Sequence, residues 1–177
     1  MAEGPLEIER KYRLARPPAS AELAAHGARS FRLEQVYLAE PPSGRRIRRI
    51  EAPDGTVSHR FTRKRHLRDL VREEVETEID AAEYEHLIAE ADPRRRPIRK
   101  TRHVVAHGLQ RLEIDVFDEP AGLVLVEVEL ASEAEAVELP AWLGEACDVS
   151  TDPSYANANL ALLDADLPSY DAAATPC

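Results

Sequence analysis

The chain has 177 residues, a formal net charge of −10 and two cysteines. That length supports one domain with a full core rather than two large ones. The acidic balance argues against a general nucleic-acid binder, because sequence-independent affinity for a duplex comes from Lys and Arg neutralising phosphates. With no apolar run near about 18 residues and no charged-then-apolar leader, export and membrane insertion are not expected, and the cytoplasm is the expected location.

Alternation of apolar and polar residues predicts strands over 5–14, 33–39, 45–52, 57–67, 70–79, 97–107, 109–118 and 123–131. In the first of them Leu6, Ile8 and Tyr12 face one side while Glu7, Glu9 and Lys11 face the other. Ser20 starts a short helix. Pro53-Asp54-Gly55, Gly108 and Glu119-Pro120-Ala121-Gly122 sit between neighbouring strands as hairpin turns should, so most neighbours are antiparallel. Asp80-Ala81-Ala82-Glu83 reads as a capping box opening a helix to Glu90. A short helix is expected from Ser132, a compact turn at Pro140 to Leu143, and a last helix led by Asp152-Pro153 that carries Leu160, Leu162 and Leu163. Residues 1–163 form the single domain and 164–177 a mobile tail. Cys147 and Cys177 have no metal-ligand spacing and are expected to be free thiols.

The polar parity of these strands is ionic almost throughout: Glu7, Glu9, Lys11; Arg46, Arg48; Arg60, Thr62, Lys64; Arg72, Glu74, Glu76, Glu78; Lys100, Arg102; Glu113, Asp115; Glu127, Glu129. An open sheet could bury its apolar face under helices and leave this face to water. Alternatively, the sheet could close into a barrel with helices outside and charges lining the lumen. The chemistry of the rows favours the barrel, because whole strand faces carry only acids or only bases, and such segregation is costly without a ligand. Two carboxylates about 5 Å apart repel by roughly 3 kcal/mol at an effective dielectric of about 20, and a divalent cation between them reverses the sign. An eight-stranded barrel is about the smallest that holds one small ligand. Arginine forks opposite hard carboxylate ligands suit a polyphosphate chelated to Mg²⁺ or Mn²⁺.

These motifs resemble a known family. Glu7-x-Glu9-x-Lys11 is similar to the ExExK signature of the CYTH superfamily, the triphosphate tunnel metalloenzymes. The order of later motifs is more specific: Arg46-Ile47-Arg48, Thr62-x-Lys64, Arg72-Glu73-Glu74-Val75-Glu76, Lys100-Thr101-Arg102, Glu113-Ile114-Asp115-x-Phe117 and Glu127-Val128-Glu129. The segment from Asp148 to Asn157 looks like the family's closing segment, and the resemblance spans residues 5–163. It implies an α+β fold, an eight-stranded antiparallel β-barrel or tunnel with a charged lumen and flanking helices. It also implies a triphosphate-containing substrate and Mg²⁺ or Mn²⁺. Carried over by position, Lys11, Arg46, Arg48, Lys64, Arg72, Lys100 and Arg102 would bind phosphate. Glu7, Glu9, Glu127 and Glu129 would be the main metal-side acids, with Glu74, Glu76, Glu113 and Asp115 supporting them. Glu7, Glu9, Lys11 and Glu129 are the expected catalytic set. Ser154 stands where the family often has arginine, and the link from Trp142 to Asp148 is longer than usual.

The leading functional expectation is metal-dependent hydrolysis of the terminal phosphate of inorganic triphosphate or a small organic triphosphate, with water as nucleophile. No G-x-S-x-G elbow, H-E-x-x-H spacing, Walker A loop or G-x-G-x-x-G occurs. Adenylate cyclisation and thiamine triphosphate hydrolysis are alternatives within the superfamily, and a non-catalytic polyphosphate or organophosphate sensor is an alternative of a different functional class. The expected partner is the small triphosphate, without nucleic acid or membrane and with a possible homodimer. Arg94-Arg95-Arg96 reads as a solvated loop, and Trp142 and Phe117 as packing anchors.

Overall fold

The computed structural model describes residues 6–39, 44–68 and 71–164, and the side chains of Leu6, Arg65, His66, Leu67, Arg68, Val71 and Arg72 lie outside that description. The expected tail, Cys177 and the side chain of Arg72 therefore fall outside the described structure. In chain order the elements are β1 Leu6–Leu14, α1 Ser20–Ala25, β2 Arg29–Tyr37, β3 Arg45–Glu51, β4 Val57–Arg68, β5 Val71–Ile79, α2 Ala81–Ile88, β6 Ile98–His107, β7 Gln110–Glu119, β8 Val124–Glu129, β9 Ala146–Asp148 and α3 Asn157–Leu160.

The strands form one antiparallel sheet in the order β5-β4-β3-β2-β6-β7-β8-β1-β9. It curls so strongly that β1 also pairs with β5, Leu6 to Ile8 lying against Val71 to Glu73. The eight long strands thus wall the tunnel that the alternation predicts. The ninth, β9, pairs only with Tyr12 to Leu14 at the far end of β1.

Apolar side chains of the outward parity need cover, and two clusters supply it. Leu112, Ile114, Val124, Val126 and Val128 pack with Leu14, Leu23 of α1 and Leu143. Five of the eight are 0% exposed, and each such side chain contributes about 1.5–3 kcal/mol on burial. Val36, Ile47 and Ile79 pack under Tyr84 of α2, whose N-cap Asp80 accepts a hydrogen bond from the Glu83 N–H at 2.8 Å.

A third cluster has the inward parity. Tyr37, Ile98, Phe117 and Leu125 meet Leu160 and Ala161, so the closing segment fills one end of the tunnel. The arginine run helps hold it there. Arg95 donates to the Ala158 carbonyl and lies 5.3 Å over the Tyr37 ring, while Arg96 donates to the Leu162 carbonyl at 3.2 Å. Buried Asp92 accepts from Arg94 at 3.0 Å and from Arg95 at 3.3 Å. The run read as a solvated loop is thus a clamp.

Three further readings are corrected. No helix forms at Ser132, because Glu135 turns back to accept from the Ala131 N–H at 2.7 Å and from Gln110 of β7 at 3.1 Å, holding the segment as a turn. The Asp152-Pro153 helix is split into a 3₁₀ turn, Pro153–Tyr155, and α3, because Ala156 between them is extended. Cys147, the described cysteine, is not a free thiol. The long link after Trp142 holds β9, and Ser154 hydrogen-bonds to Asp152 at 2.7 Å. Phe117 and Trp142 are packing anchors, as expected.

Candidate functional site

Strand geometry puts alternate side chains into the tunnel, and the ionic rows are the ones that point inward. They line a cavity of about 790 Å³. Among the described residues its walls carry eight bases and seven acids. Two ionic networks share them.

The first network spans β1, β3, β4 and β5. The Lys64 ammonium ion-pairs with Glu7, with Glu74 at 3.1 Å and with Glu9 at 3.8 Å. Arg46 reaches Glu74 at 3.2 Å, and Arg48 pairs with Glu76. Buried Thr62 donates to Glu76 at 3.2 Å. Gly44 sets the backbone at Lys64: the Lys64 N–H donates to its carbonyl at 3.0 Å, its φ is +82°, and a Cβ there would meet the Lys64 carbonyl oxygen at 2.1 Å.

The second network spans β1, β6, β7 and β8. Arg102 bonds to Asp115 through two nitrogens, each at 2.7 Å, to Glu127 at 2.8 Å, and to Glu113. Lys11 pairs with Glu127 at 3.0 Å and donates to the Tyr155 carbonyl at 3.4 Å. Lys100 pairs with Asp115. Burial alone would push the Glu127 carboxyl up, but Lys11, Lys100 and Arg102 hold it well below the usual carboxylate range.

Acids also face acids across the ladder. Glu9 lies opposite Glu129 across β1 and β8, and Glu113 lies opposite Glu127 across β7 and β8. Directly opposed like charges are destabilising. Glu129 is exposed and makes no ion pair among the described residues. No described group of three acids stands close enough to form a ready-made metal cage. The donor set is nevertheless one that a hard divalent cation accepts: carboxylates only, with two opposed pairs.

Glu7 registers the same conflict. Burial, then Glu9 and Glu74, push its carboxyl up to about 7 against the pull of Lys64. A folded-state value above the unfolded one means that the folded chain holds this proton more tightly. The resulting stability is complete below the unfolded value of 4.5 and is lost as pH rises through about 7. Glu7→Gln, which removes the charge, is therefore expected to stabilise the metal-free protein at about pH 8 by roughly 1–3 kcal/mol and to change little at about pH 5. Thermal melts in chelator check this, and a variant no more stable than wild type at pH 8 would show that Glu7 bears no such penalty.

A profile of the CYTH domain matches residues 5–161. The chain belongs to the CYTH domain family. This CYTH chain is similar to a solved structure described as the inorganic triphosphatase NE1496, at 32% identity, covering 88% of this chain and 97% of that one, with a TM-score of 0.55. Another structure of NE1496, described as a hypothetical protein, matches at 32% identity over 92% of this chain and 99% of that one, with a TM-score of 0.56. PH1819 from Pyrococcus horikoshii OT3 shares the fold at 21% identity, covering 72% of this chain and 80% of that one, with a TM-score of 0.51. No curated protein gives a match.

Of the residues picked out by the CYTH resemblance, Glu7, Glu9, Lys11, Arg46, Arg48, Lys64, Glu74, Glu76, Lys100, Arg102, Glu113, Glu127 and Glu129 all line the cavity. Asp115 is 0% exposed and lies behind the lining. The tunnel also holds residues that the motifs left out. Arg60 and Arg111 add bases, and Arg60 was legible as the start of the Thr62 and Lys64 row. Among the lining residues those of β2, Phe31, Leu33, Gln35 and Tyr37, carry no charge, while Arg29 of the same parity lies 5.3 Å over the Phe31 ring. Phe31 and Leu33 adjoin Ile50 and Val104, making an uncharged sector between the bases of β3 and β6.

Proposed function

We propose that this protein hydrolyses the terminal phosphoanhydride of inorganic triphosphate, with Mg²⁺ or Mn²⁺ and with water as the nucleophile. The carrying observation is the charge content of one cavity: among the described residues eight bases against seven acids leave an excess of one, far less than the negative charge of a triphosphate. A tunnel built only to capture an anion needs no acids. One that takes a cation together with the anion needs both. The similarity to NE1496, whose structure is described as that of an inorganic triphosphatase, supports the same reading.

In this reading Arg46, Arg48 and Lys64 grip the phosphate chain from one side and Lys11, Lys100 and Arg102 from the other. Arg forks match phosphate oxygens in pairs, and the lysines act as point charges. Arg72 belongs to the same group by its place on β5. Glu7, Glu9 and Glu129 are the acids that would hold the cation, with Glu127, Glu113, Glu74 and Glu76 around them. Bound there, it would neutralise phosphate oxygens and lower the pKa of a water. The water oxygen attacks the terminal phosphorus and the bridging P–O bond breaks, releasing orthophosphate and diphosphate. No Ser, Thr, Cys or His is among the described lining residues, so a covalent route through a hydroxyl, thiol or imidazole has no nucleophile among them.

The uncharged sector favours a second substrate, an organic triphosphate whose non-phosphate end rests against Phe31, Leu33, Ile50 and Val104. Phosphate release from tripolyphosphate, ATP and thiamine triphosphate, with Mg²⁺, Mn²⁺ or chelator and with an assay for cyclic AMP, tests both. The expected result is metal-dependent orthophosphate release, fastest from tripolyphosphate. Dominant cyclic AMP would defeat the hydrolase reading, and binding without turnover would make the protein a sensor. If an organic end uses the sector, Phe31→Ala lowers kcat/KM for that substrate about 10-fold more than for tripolyphosphate, as lost aromatic burial predicts. Equal losses would dismiss the second substrate.

A further inference from the structure

Asp115 shares the inward parity of β7 with Glu113, yet it is sealed off from the cavity that Glu113 lines. Both of its oxygens are taken by two bases of β6. Arg102 donates Nε to Oδ1 and Nη2 to Oδ2, each at 2.7 Å, a two-pronged fork that fixes the plane of the guanidinium. Lys100, itself 3% exposed, sets its ammonium on Oδ2 and packs 5.1 Å from the centre of the Phe117 ring. A cation could reach Asp115 only by displacing both bases. The remaining edge of Arg102 faces the lumen, where Nη1 meets Glu113 and Nη2 also meets Glu127.

We propose that Asp115 is a positioning residue that holds Lys100 and Arg102 in the geometry needed to grip phosphate, and that it is not a ligand of the cation. The proposal rests on the phosphate-binding role given above to those two bases. Without the carboxylate fork, a long arginine and a buried lysine must be ordered by the substrate itself, and that ordering is charged against binding. The sign of the effect separates positioning from simple electrostatics. Removing a negative charge beside an anion site tightens binding by Coulomb attraction alone, so weaker binding in an Asp115 variant reports lost geometry.

The test is calorimetric titration of wild type and Asp115→Asn with tripolyphosphate in chelator and, separately, with Mn²⁺ in the absence of phosphate. Asp115→Asn is expected to weaken tripolyphosphate binding by about 10-fold or more, as loss of a charge-assisted fork predicts, and to leave Mn²⁺ binding unchanged. Unchanged or tighter tripolyphosphate binding, or weakened Mn²⁺ binding, overturns the positioning role. Should wild type bind tripolyphosphate only with Mn²⁺, the two proteins are compared with Mn²⁺ present; if it binds none in either condition, the phosphate reading falls and takes this one with it, so the two failures are told apart. Should Asp115→Asn not fold, Asp115→Glu keeps the charge and displaces the Arg102 fork and the Lys100 contact by one methylene. The same pair of results, weaker tripolyphosphate and unchanged Mn²⁺, is then required.

Discussion

Glu129→Gln is expected to lower metal-dependent turnover of tripolyphosphate by about 100-fold, the rate equivalent of a few kcal/mol of lost charge stabilisation. The side chain is exposed and makes no ion pair among the described residues, so exchanging it for an amide of the same shape leaves the packing of β8 alone. What changes is the acid pair with Glu9 directly across the ladder. One carboxylate of that pair holds a hard cation less well than two, so the metal concentration for half-maximal rate should rise as the maximal rate falls. Melting temperature in chelator should not drop, because removing one of two opposed like charges relieves repulsion. Steady-state kinetics over a metal titration decides the matter. Turnover and metal dependence equal to wild type would take Glu129 out of the site.

Arg102→Met is expected to cost stability as well as phosphate binding. Arg102 is the shared counter-ion of Glu113, Asp115 and Glu127, and methionine keeps much of its volume while leaving those carboxylates without it. Removing one partner of a buried ion pair typically costs about 3–5 kcal/mol, because the charge left behind is neither hydrated nor paired. Urea unfolding in chelator at neutral pH should show a loss of that size. Glu127 supplies a pH signature. Its carboxyl is held low by Lys11, Lys100 and Arg102, so the stability it contributes is present above the unfolded carboxylate value and is lost as acid protonates it. The gap between wild type and variant should therefore narrow as pH falls. A loss under about 1 kcal/mol at neutral pH would mean that Lys11 and Lys100 suffice as counter-ions, since only exposed pairs contribute so little.

Much of the tunnel was legible because strand parity is a strict code. Once Glu7, Glu9 and Lys11 share a parity, they share a face whatever the fold, and the same holds for Arg46 with Arg48 and for Glu127 with Glu129. The start of β2 was harder to read, because Ser30 and Arg32 make its outer parity polar while Phe31 and Leu33 make its lumen parity largely apolar, the reverse of its neighbours. Three residues were too few to announce β9, which exists only because β1 offers it an edge. Ser132 and Glu135 have helix-start spacing, but a glutamate that can reach Gln110 of a neighbouring hairpin has a competing use for its carboxylate.

Local order along the chain thus settled which residues lie in strands, which of them share a face, and that these faces are ionic, since each of these follows from a two-residue repeat. Whether those faces turn inward was decided by the meeting of β1 with β5 and by the apolar clusters that cover the outside. The same holds for the split of Glu113 from Asp115, two residues apart on one face: only their neighbours in space, the lumen for one and Lys100 and Arg102 for the other, separate a wall of the cavity from a buried counter-ion. Burial and partner choice are properties of packing between distant segments, and a linear repeat carries no record of them.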